Sequence, residues 1–241
     1  MTRSVCLRGI SYSGVNTCMT YLVLIFSFML PLKSFAQDIG IKYYAIDSVD
    51  KELVFFDDFE KQKDNWLSSN GEPVEFSKRV FIESGVFNFK GYKKGYKAWA
   101  CKVPFDYSRN FEIEFRAKVE SKNSSIHNGI IFWSREHTEN LVANYLYFGS
   151  TGYVEFQTAD EVNSKNTKSG YTTSAISVIG FQLGGYNTYT IRHYNGVYYI
   201  FVNNNFLVLK PYVSTNGSFI GIGGNKGSLL TYDYIKMYYL R

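Results

Sequence analysis

The stretch YTIRHYNGVYYIFV, residues 189–202, contains the clearest strand pattern of the chain. Two runs rich in aromatic and β-branched residues flank the pair Asn195-Gly196. Because both turn residues tolerate positive φ, Asn-Gly between two strand patterns is the strongest short-range indication of a β-hairpin. A two-residue loop also fixes the strand register. The predicted pairs are Tyr194 with Val197, Arg192 with Tyr199, and Ile191 with Ile200.

Similar strand patterns follow one another along the rest of the chain. The predicted strands cover residues 52–59, 75–82, 85–92, 97–105, 111–120, 129–135, 140–149, 153–159, 189–194, 197–202, 206–213, 219–224 and 229–240. Further turns are predicted at Glu83-Ser84, at 150–152 and at Asn203-Asn204. No stretch has helical periodicity or a fixed-period repeat. About a dozen short strands without helices predict an all-β sandwich or barrel.

The N-terminus has the layout of a cleaved secretory signal peptide, residues 1–36. A cationic stretch without acids precedes an apolar run of 12 residues, Met19 to Leu30, which is short for a membrane-spanning helix. Small residues, Ser34 and Ala36, stand before the expected cleavage site. We therefore expect an exported protein, periplasmic, cell-surface or secreted. Residues 37–51 form a leader segment, and a β-domain follows over 52–241.

Removal of the signal peptide changes the charge and the cysteine count. Three cations leave, Arg3, Arg8 and Lys33, and no acid, so the formal net charge falls from +5 to +2. This near-neutral charge speaks against nucleic acid as a partner. Of the three cysteines, Cys101 alone remains, so no internal disulfide is expected and the domain must rely on its core. The pattern predicts a buried structural thiol at Cys101.

The segment 161–174, EVNSKNTKSGYTTS, is polar and lacks a strand pattern. Its length predicts a long loop or an insertion at the rim of the domain. Loops of this length tend to carry function or to be disordered.

The strand patterns resemble the concanavalin A-like lectin/glucanase jelly rolls, which include laminin-G-like modules. The matching pieces, in order, are Phe56-Asp57-Asp58-Phe59, Trp66, 129–133, 144–148, Gly152-Tyr153, Asn195-Gly196, 201–203 and 233–237. This resemblance covers about residues 52–241. It implies two packed antiparallel sheets, one of them concave, with ligands bound on the concave face or its rim. We therefore expect a two-sheet antiparallel β-sandwich of the jelly-roll type.

Two carboxylates in NFEIEFRAKVE, residues 110–120, are remote catalytic candidates. Glu112 and Glu114 lie two residues apart on one strand face, roughly 7 Å at the backbone. Glycoside hydrolysis uses two carboxyl groups of about this separation. The resemblance implies the laminarinase-type pattern Glu-x-Asp-x-x-Glu, but here the middle acid is Glu114 and the last position is Ala117. The alternation with Arg116 and Lys118 favours a half-exposed structural strand instead.

Aromatic and polar side chains form a candidate glycan platform. Sugar rings stack on Trp and Tyr, while His and Arg can bond hydroxyl groups. The candidates are Trp133 with His127 and Arg135 on one strand face, and Tyr145 with Tyr147 on a neighbouring strand. Ordinary core packing explains buried aromatics equally well, Trp133 above all.

No cofactor motif is present, and the three histidines are far apart, which speaks against a zinc site. A calcium ion, common in the resembling fold, could use Asp57, Asp58 or Asp233, although turn and capping contacts account for these residues too.

We therefore predict an exported, non-catalytic β-sandwich that binds a carbohydrate or envelope glycan. The alternatives are a glycoside hydrolase or other sugar-processing enzyme of the same fold, and a structural or protein-interaction domain. No membrane insertion is expected after signal cleavage.

Overall fold

The computed structural model describes residues 50–60, 66–68, 79–91, 97–121, 127–135, 142–160, 176–177, 179–212 and 217–241. The predicted signal peptide, nearly all of the leader segment and the polar loop 161–174 lie outside these ranges. A compact unit spans Lys51–Arg241. Among the described residues, no helix is long and apolar enough to span a membrane.

The described residues form fifteen β-strands in two antiparallel sheets. The strands are β1 (Lys51–Asp57), β2 (Trp66–Ser68), β3 (Val80–Glu83), β4 (Val86–Lys90), β5 (Lys97–Lys102), β6 (Phe111–Val119), β7 (Gly129–Arg135), β8 (Val142–Phe148), β9 (Tyr153–Asp160), β10 (Ile176–Ser177), β11 (Tyr186–Tyr194), β12 (Val197–Val202), β13 (Asn205–Pro211), β14 (Phe219–Gly224) and β15 (Leu229–Leu240). The predicted two-sheet antiparallel β-sandwich is confirmed.

The strand order places distant parts of the chain side by side. The first sheet runs β13-β12-β11-β6-β15-β4-β3, and β1 also pairs with β15. The second sheet runs β10-β9-β8-β7-β14-β5-β2. Since side chains alternate along a strand, each sheet has a core face and an outer face. The outer faces carry the two groups of candidate site residues.

Two hairpins have the predicted turns. Asn195 and Gly196 have φ values of 49° and 77°, and Asn203 and Asn204 have 49° and 63°. Two positive φ values in a row define the type I′ turn, whose twist matches that of the strands. The three residue pairs predicted for β11 and β12 are those observed. At the β3–β4 hairpin, the turn is Ser84-Gly85 rather than Glu83-Ser84, because Glu83 pairs with Val86.

A buried polar network joins the two sheets. The indole N–H of Trp133 and the amide of Asn144, both in the second sheet, donate to the Tyr198 hydroxyl of the first sheet at 3.3 and 3.2 Å. Thr158 donates to the Asn144 carbonyl oxygen at 2.7 Å. All four residues are buried. The network satisfies polar groups that would otherwise be costly to bury, and it ties the sheets to one relative position.

Two buried tyrosines provide a test of this packing. The hydroxyl of Tyr189 has no hydrogen-bond partner among the described residues, and burial raises the pKa of this phenol. The Tyr232 hydroxyl lies 2.6 Å from the Gly223 carbonyl oxygen and 3.1 Å from that of Ile130. We expect Tyr189→Phe to be neutral or to stabilise by about 1 kcal/mol, and Tyr232→Phe to destabilise by about 1–2 kcal/mol. Urea unfolding measures both changes, and equal losses in the two variants would contradict this assignment.

Candidate functional site

Glu112 lies on the outer face of the first sheet, which we call the charged face; it also carries Glu114, Arg116, Lys118 and Arg192. The Glu112 carboxylate is fully buried. Arg192 donates from Nε and Nη2 to its Oε2 atom at 2.8 and 2.6 Å. Lys51 Nζ lies 2.5 Å from its Oε1 atom. Both oxygens are thus held by cations, which is the arrangement of a structural ion pair.

Glu114 shares the charged face with Glu112, as the spacing predicts. The Tyr234 hydroxyl donates to it at 3.0 Å, and Lys236 Nζ lies 4.0 Å away. Burial raises the pKa of Tyr234 to about 12, and the negative charge of Glu114 adds to the shift. A glycosidase would need one of its two carboxyls protonated and the other free to reach sugar or water. The contacts of both carboxylates are instead with cations and a phenol of the same sheet.

The three calcium candidates have other partners. Asp57 is buried and accepts hydrogen bonds from the Trp66 indole at 2.9 Å and from the Phe59 N–H at 3.0 Å. Asp58 accepts from the N–H of Glu60 at 3.2 Å. Asp233 pairs with Arg116 at 2.7 Å. Over the described part of the chain, no group of three or more His, Cys, Asp or Glu side chains is placed to hold a metal ion.

Trp133 lies in the core between the sheets and does not share a face with Tyr145 and Tyr147. It is fully buried, and its ring contacts Phe156 at 5.7 Å and Tyr198 at 5.8 Å. The structure therefore corrects its placement as a ligand-contacting residue. The neighbouring Phe132 points to the opposite side of β7 and lies beside Tyr145, but it is buried as well. Arg135 ends β7, and its side chain lies outside what the structure describes.

The outer face of the second sheet carries a row of rings, which we call the aromatic face. It comprises the rings of Phe132, Tyr145, Tyr147 and His127, together with the carboxylate of Glu155. The rings of Tyr145 and Tyr147 are stacked, with centroids 6.0 Å apart and planes 15° apart. Phe132 lies 6.1 Å from Tyr145, and His127 lies 4.7 Å from Tyr147. Both tyrosines are only half-buried, so their rings remain accessible.

A carboxylate and an imidazole end this row. His127 Nε2 lies 2.6 Å from Glu155 Oε2, and Glu155 stands opposite Tyr147 in the β8–β9 pairing. The His127 side chain is 34% exposed and that of Glu155 is 10% exposed. The pair orients the imidazole beside the tyrosine rings. Such a pair can donate to and accept from sugar hydroxyls, or it can move a proton.

Small residues continue the aromatic face beyond Phe132. In register across the sheet, Phe132 is followed by Gly221 of β14 and Ala100 of β5. A Cβ atom at Gly221 would overlap the Phe132 ring, so glycine is required for the ring to lie flat there. The next row places Gly223 beside Ala98. Phe132, Gly221 and Ala100 are themselves buried, so the partly exposed rings of the aromatic face are those of Tyr145, Tyr147 and His127.

Three residues of this site were not predicted. Phe132 was missed because β7 is apolar on both faces. Glu155 and Gln157 stand opposite Tyr147 and Tyr145. Both pairs could have been predicted from the turn at 150–152, because the length of a hairpin loop sets the register of its strands.

No sequence-family model and no curated protein matches this chain. Solved structures do match its fold. A laminarinase catalytic domain from Thermotoga petrophila, an endo-1,3-β-glucanase, aligns with a TM-score of 0.59 at 12% identity, covering 80% of this chain and 99% of that one. An endo-β-1,3-glucanase from Pyrococcus furiosus aligns with a TM-score of 0.58 at 13% identity. The alignment covers 79% of this chain and 95% of that one. The carbohydrate recognition domain of Emp47p aligns with a TM-score of 0.56 at 12% identity. The alignment covers 81% of this chain and 99% of that one.

These likenesses establish the fold. The chain forms a concanavalin A-like jelly-roll β-sandwich, as the sequence resemblance implied. At 12–13% identity they leave the activity of this chain to be argued from its own residues.

Proposed function

We propose that this protein is an exported, non-catalytic glycan-binding domain and that the aromatic face is its binding surface. The single observation that carries the proposal is the row of Tyr145 and Tyr147, stacked, half-buried and directed away from the core. Both rings lie on the side of β8 that faces away from the core between the sheets. They can cover the flat C–H faces of sugar rings, from which water is then displaced.

Polar groups beside the rings supply the hydrogen bonds that a sugar requires. Glu155 can accept hydrogen bonds, His127 offers its ring nitrogens, and Gln157 stands opposite Tyr145. A few placed polar groups among apolar ones are typical of small-ligand sites. The solved structures of this fold include glucanases and a carbohydrate recognition domain, which supports a glycan as the ligand.

A sugar-processing enzyme is the second candidate, and the His127–Glu155 pair favours it. A carboxylate that orients an imidazole is the usual way to prepare a general base. Against glycoside hydrolysis, the described strands of the aromatic face carry one carboxylate, Glu155, whereas that reaction uses two. The Glu112 and Glu114 pair lies on the other sheet.

A glycan-array screen with parallel assays for cleavage products tests the proposal. The wild-type protein is expected to bind at least one glycan class without cleaving it. The double variant Tyr145→Ala/Tyr147→Ala should bind at least about tenfold more weakly, since each lost ring removes roughly 1–2 kcal/mol of stacking and burial. Tyr186→Ala, a half-buried tyrosine on the charged face, is the matched control and should bind like wild type.

Glu155→Gln distinguishes the two candidates. The amide keeps the size and part of the hydrogen bonding, so a binder should lose less than tenfold in affinity. An enzyme that depends on the His127–Glu155 pair would lose turnover by orders of magnitude. Absence of both binding and cleavage across the panel would count against both and favour a protein-interaction domain.

A further inference from the structure

We propose that one end of the sandwich contains an acid-sensitive latch, in which Tyr212 covers the neutral imidazole of His193 and is released when that imidazole gains a proton. The inference does not depend on glycan binding. It rests on the contacts of His193 in β11 and on the position of Tyr212 just after β13.

His193 is 3% exposed, and its two ring nitrogens have different surroundings. Nδ1 lies 2.7 Å from the carbonyl oxygen of Arg109. A carbonyl oxygen only accepts, so Nδ1 carries the hydrogen and Nε2 is the unprotonated nitrogen. Nε2 is buried and has no hydrogen-bond partner among the described residues. A proton added there would create a cation with a buried, unpartnered N–H.

Aromatic rings of three described parts of the chain surround the imidazole. Tyr212 is stacked on it at 4.0 Å, Phe111 of β6 lies at 5.2 Å, and Tyr198 of β12 lies at 5.5 Å. The cation of Arg109 is directed elsewhere, over the Tyr239 ring at 3.6 Å. Among the described contacts of His193 no carboxylate is present, so no negative charge there would stabilise the imidazolium. The titratable groups that face it are the phenols of Tyr198 and Tyr212.

Burial lowers the pKa of His193 below 6.5, and the hydrogen bond to the Arg109 carbonyl opposes part of this shift. A histidine whose pKa is lower in the folded state than in the unfolded state contributes its full stabilisation only at pH values above the unfolded pKa. That contribution is lost as the pH falls from 6.5 towards the folded pKa. The window for release therefore lies on the acidic side of 6.5.

Tyr212 is the ring whose displacement costs least. Phe111 and Tyr198 are fully buried in strands that have neighbours on both sides, and Tyr198 also belongs to the network between the sheets. Tyr212 is half-buried and follows the edge strand β13. It is held by its N–H to the Gly196 carbonyl and by its hydroxyl to the Tyr107 carbonyl, both at 3.0 Å. Loss of these hydrogen bonds, together with the ring contacts to His193 and Tyr198, would let water reach Nε2.

Hydrogen exchange followed by NMR tests the latch in the whole protein. After correction for intrinsic rates, the Tyr212 amide should exchange faster at about pH 5 than at about pH 8. The expected rise is about tenfold for each unit by which folding lowers the pKa of His193. The amide of Ile113, in the central strand β6, should show no such rise. Equal protection of Tyr212 at both pH values would overturn the proposal.

His193→Gln is the decisive variant, because glutamine can still donate to the Arg109 carbonyl but does not titrate. The pH dependence at Tyr212 should disappear in it, and its persistence would overturn the proposal. Tyr212→Ala gives a second measurement should the glutamine variant fail to fold. Removing the covering ring should raise the NMR-titrated pKa of His193 towards 6.5. An unchanged value would show that Tyr212 does not control access to the imidazole.

Discussion

Glu112→Ala is expected to destabilise the protein by about 3–5 kcal/mol, because it leaves the buried Arg192 guanidinium without its counter-charge. Arg192 is itself almost fully buried, and it donates twice to one Glu112 oxygen. Water cannot readily replace the lost carboxylate at this depth. Lys51, which is more exposed, can return to solvent at smaller cost. Equilibrium urea unfolding measures the change in the free energy of unfolding.

Glu114→Ala on the same strand is the matched control. Its carboxylate is only partly buried, and its cation, Lys236, is 4.0 Å away. Its removal should cost about 0–1 kcal/mol, as for exposed ion pairs. The double variant Glu112→Ala/Arg192→Ala should recover part of the first loss, because the buried guanidinium is removed together with its carboxylate and Lys51 can return to solvent. Similar losses for Glu112→Ala and Glu114→Ala would contradict the structural role assigned to Glu112.

Trp133→Ala is the second large expected effect, a loss of about 3–5 kcal/mol in stability. The indole fills the space between Phe156 and Tyr198, and its N–H donates to the Tyr198 hydroxyl. Alanine would leave a cavity and remove one donor from the network between the sheets. Thermal and urea unfolding of the purified variant measure the loss, and poor yield of folded protein would agree with it.

Tyr145→Ala, one strand away on the aromatic face, is the matched control for Trp133→Ala. Its ring is half-buried and lies outside the core, so its loss should cost less than about 1.5 kcal/mol in stability while weakening glycan binding. A Trp133→Ala variant that stays folded and loses only binding would contradict the placement of Trp133 in the core.

Hairpins are the part of this fold that sequence reasoning reached most accurately. The Asn195-Gly196 turn determined its own register, because a two-residue I′ loop permits one pairing of the flanking strands. Strands β7, β12, β14 and β15 have the predicted bounds, since turn residues or charged residues mark both ends. The Glu83-Ser84 turn was predicted one residue too early. Its geometry needs positive φ at Ser84 and Gly85, and glycine accepts that readily.

The face of a strand is harder to predict when both of its sides are apolar. In β7, GIIFWSR, alternation cannot decide whether Phe132 or Trp133 faces the core. Tertiary packing decides it, because the indole needs the Tyr198 hydroxyl on the opposite sheet. Strands β2 and β10, with three and two residues, are too short to give a pattern at all. At position 112 the strand face was predicted correctly from the alternation. The burial of the Glu112 carboxylate was not predicted, because it depends on Lys51 and Arg192 from other strands.

The sequence predicts the two tyrosines of the candidate site, but it does not predict which residues of the other strands lie beside them. Tyr145 and Tyr147 share a face by their spacing alone. His127 joins them because β7 begins beside the end of β8, and Glu155 because the turn at 150–152 returns β9 to that edge. The strip of Gly221 and Gly223 comes from β14, far away in the sequence, and only the sheet order places it there.

A backbone NMR titration of the protein with a glycan identified on the array locates the binding surface. The largest shift changes should fall on the aromatic face, at Tyr145, Tyr147, His127 and Glu155. The residues of the charged face, including Glu112 and Glu114, should remain unchanged. Shift changes centred on the charged face, or absent at saturating glycan, would contradict the assignment of the aromatic face as the binding surface.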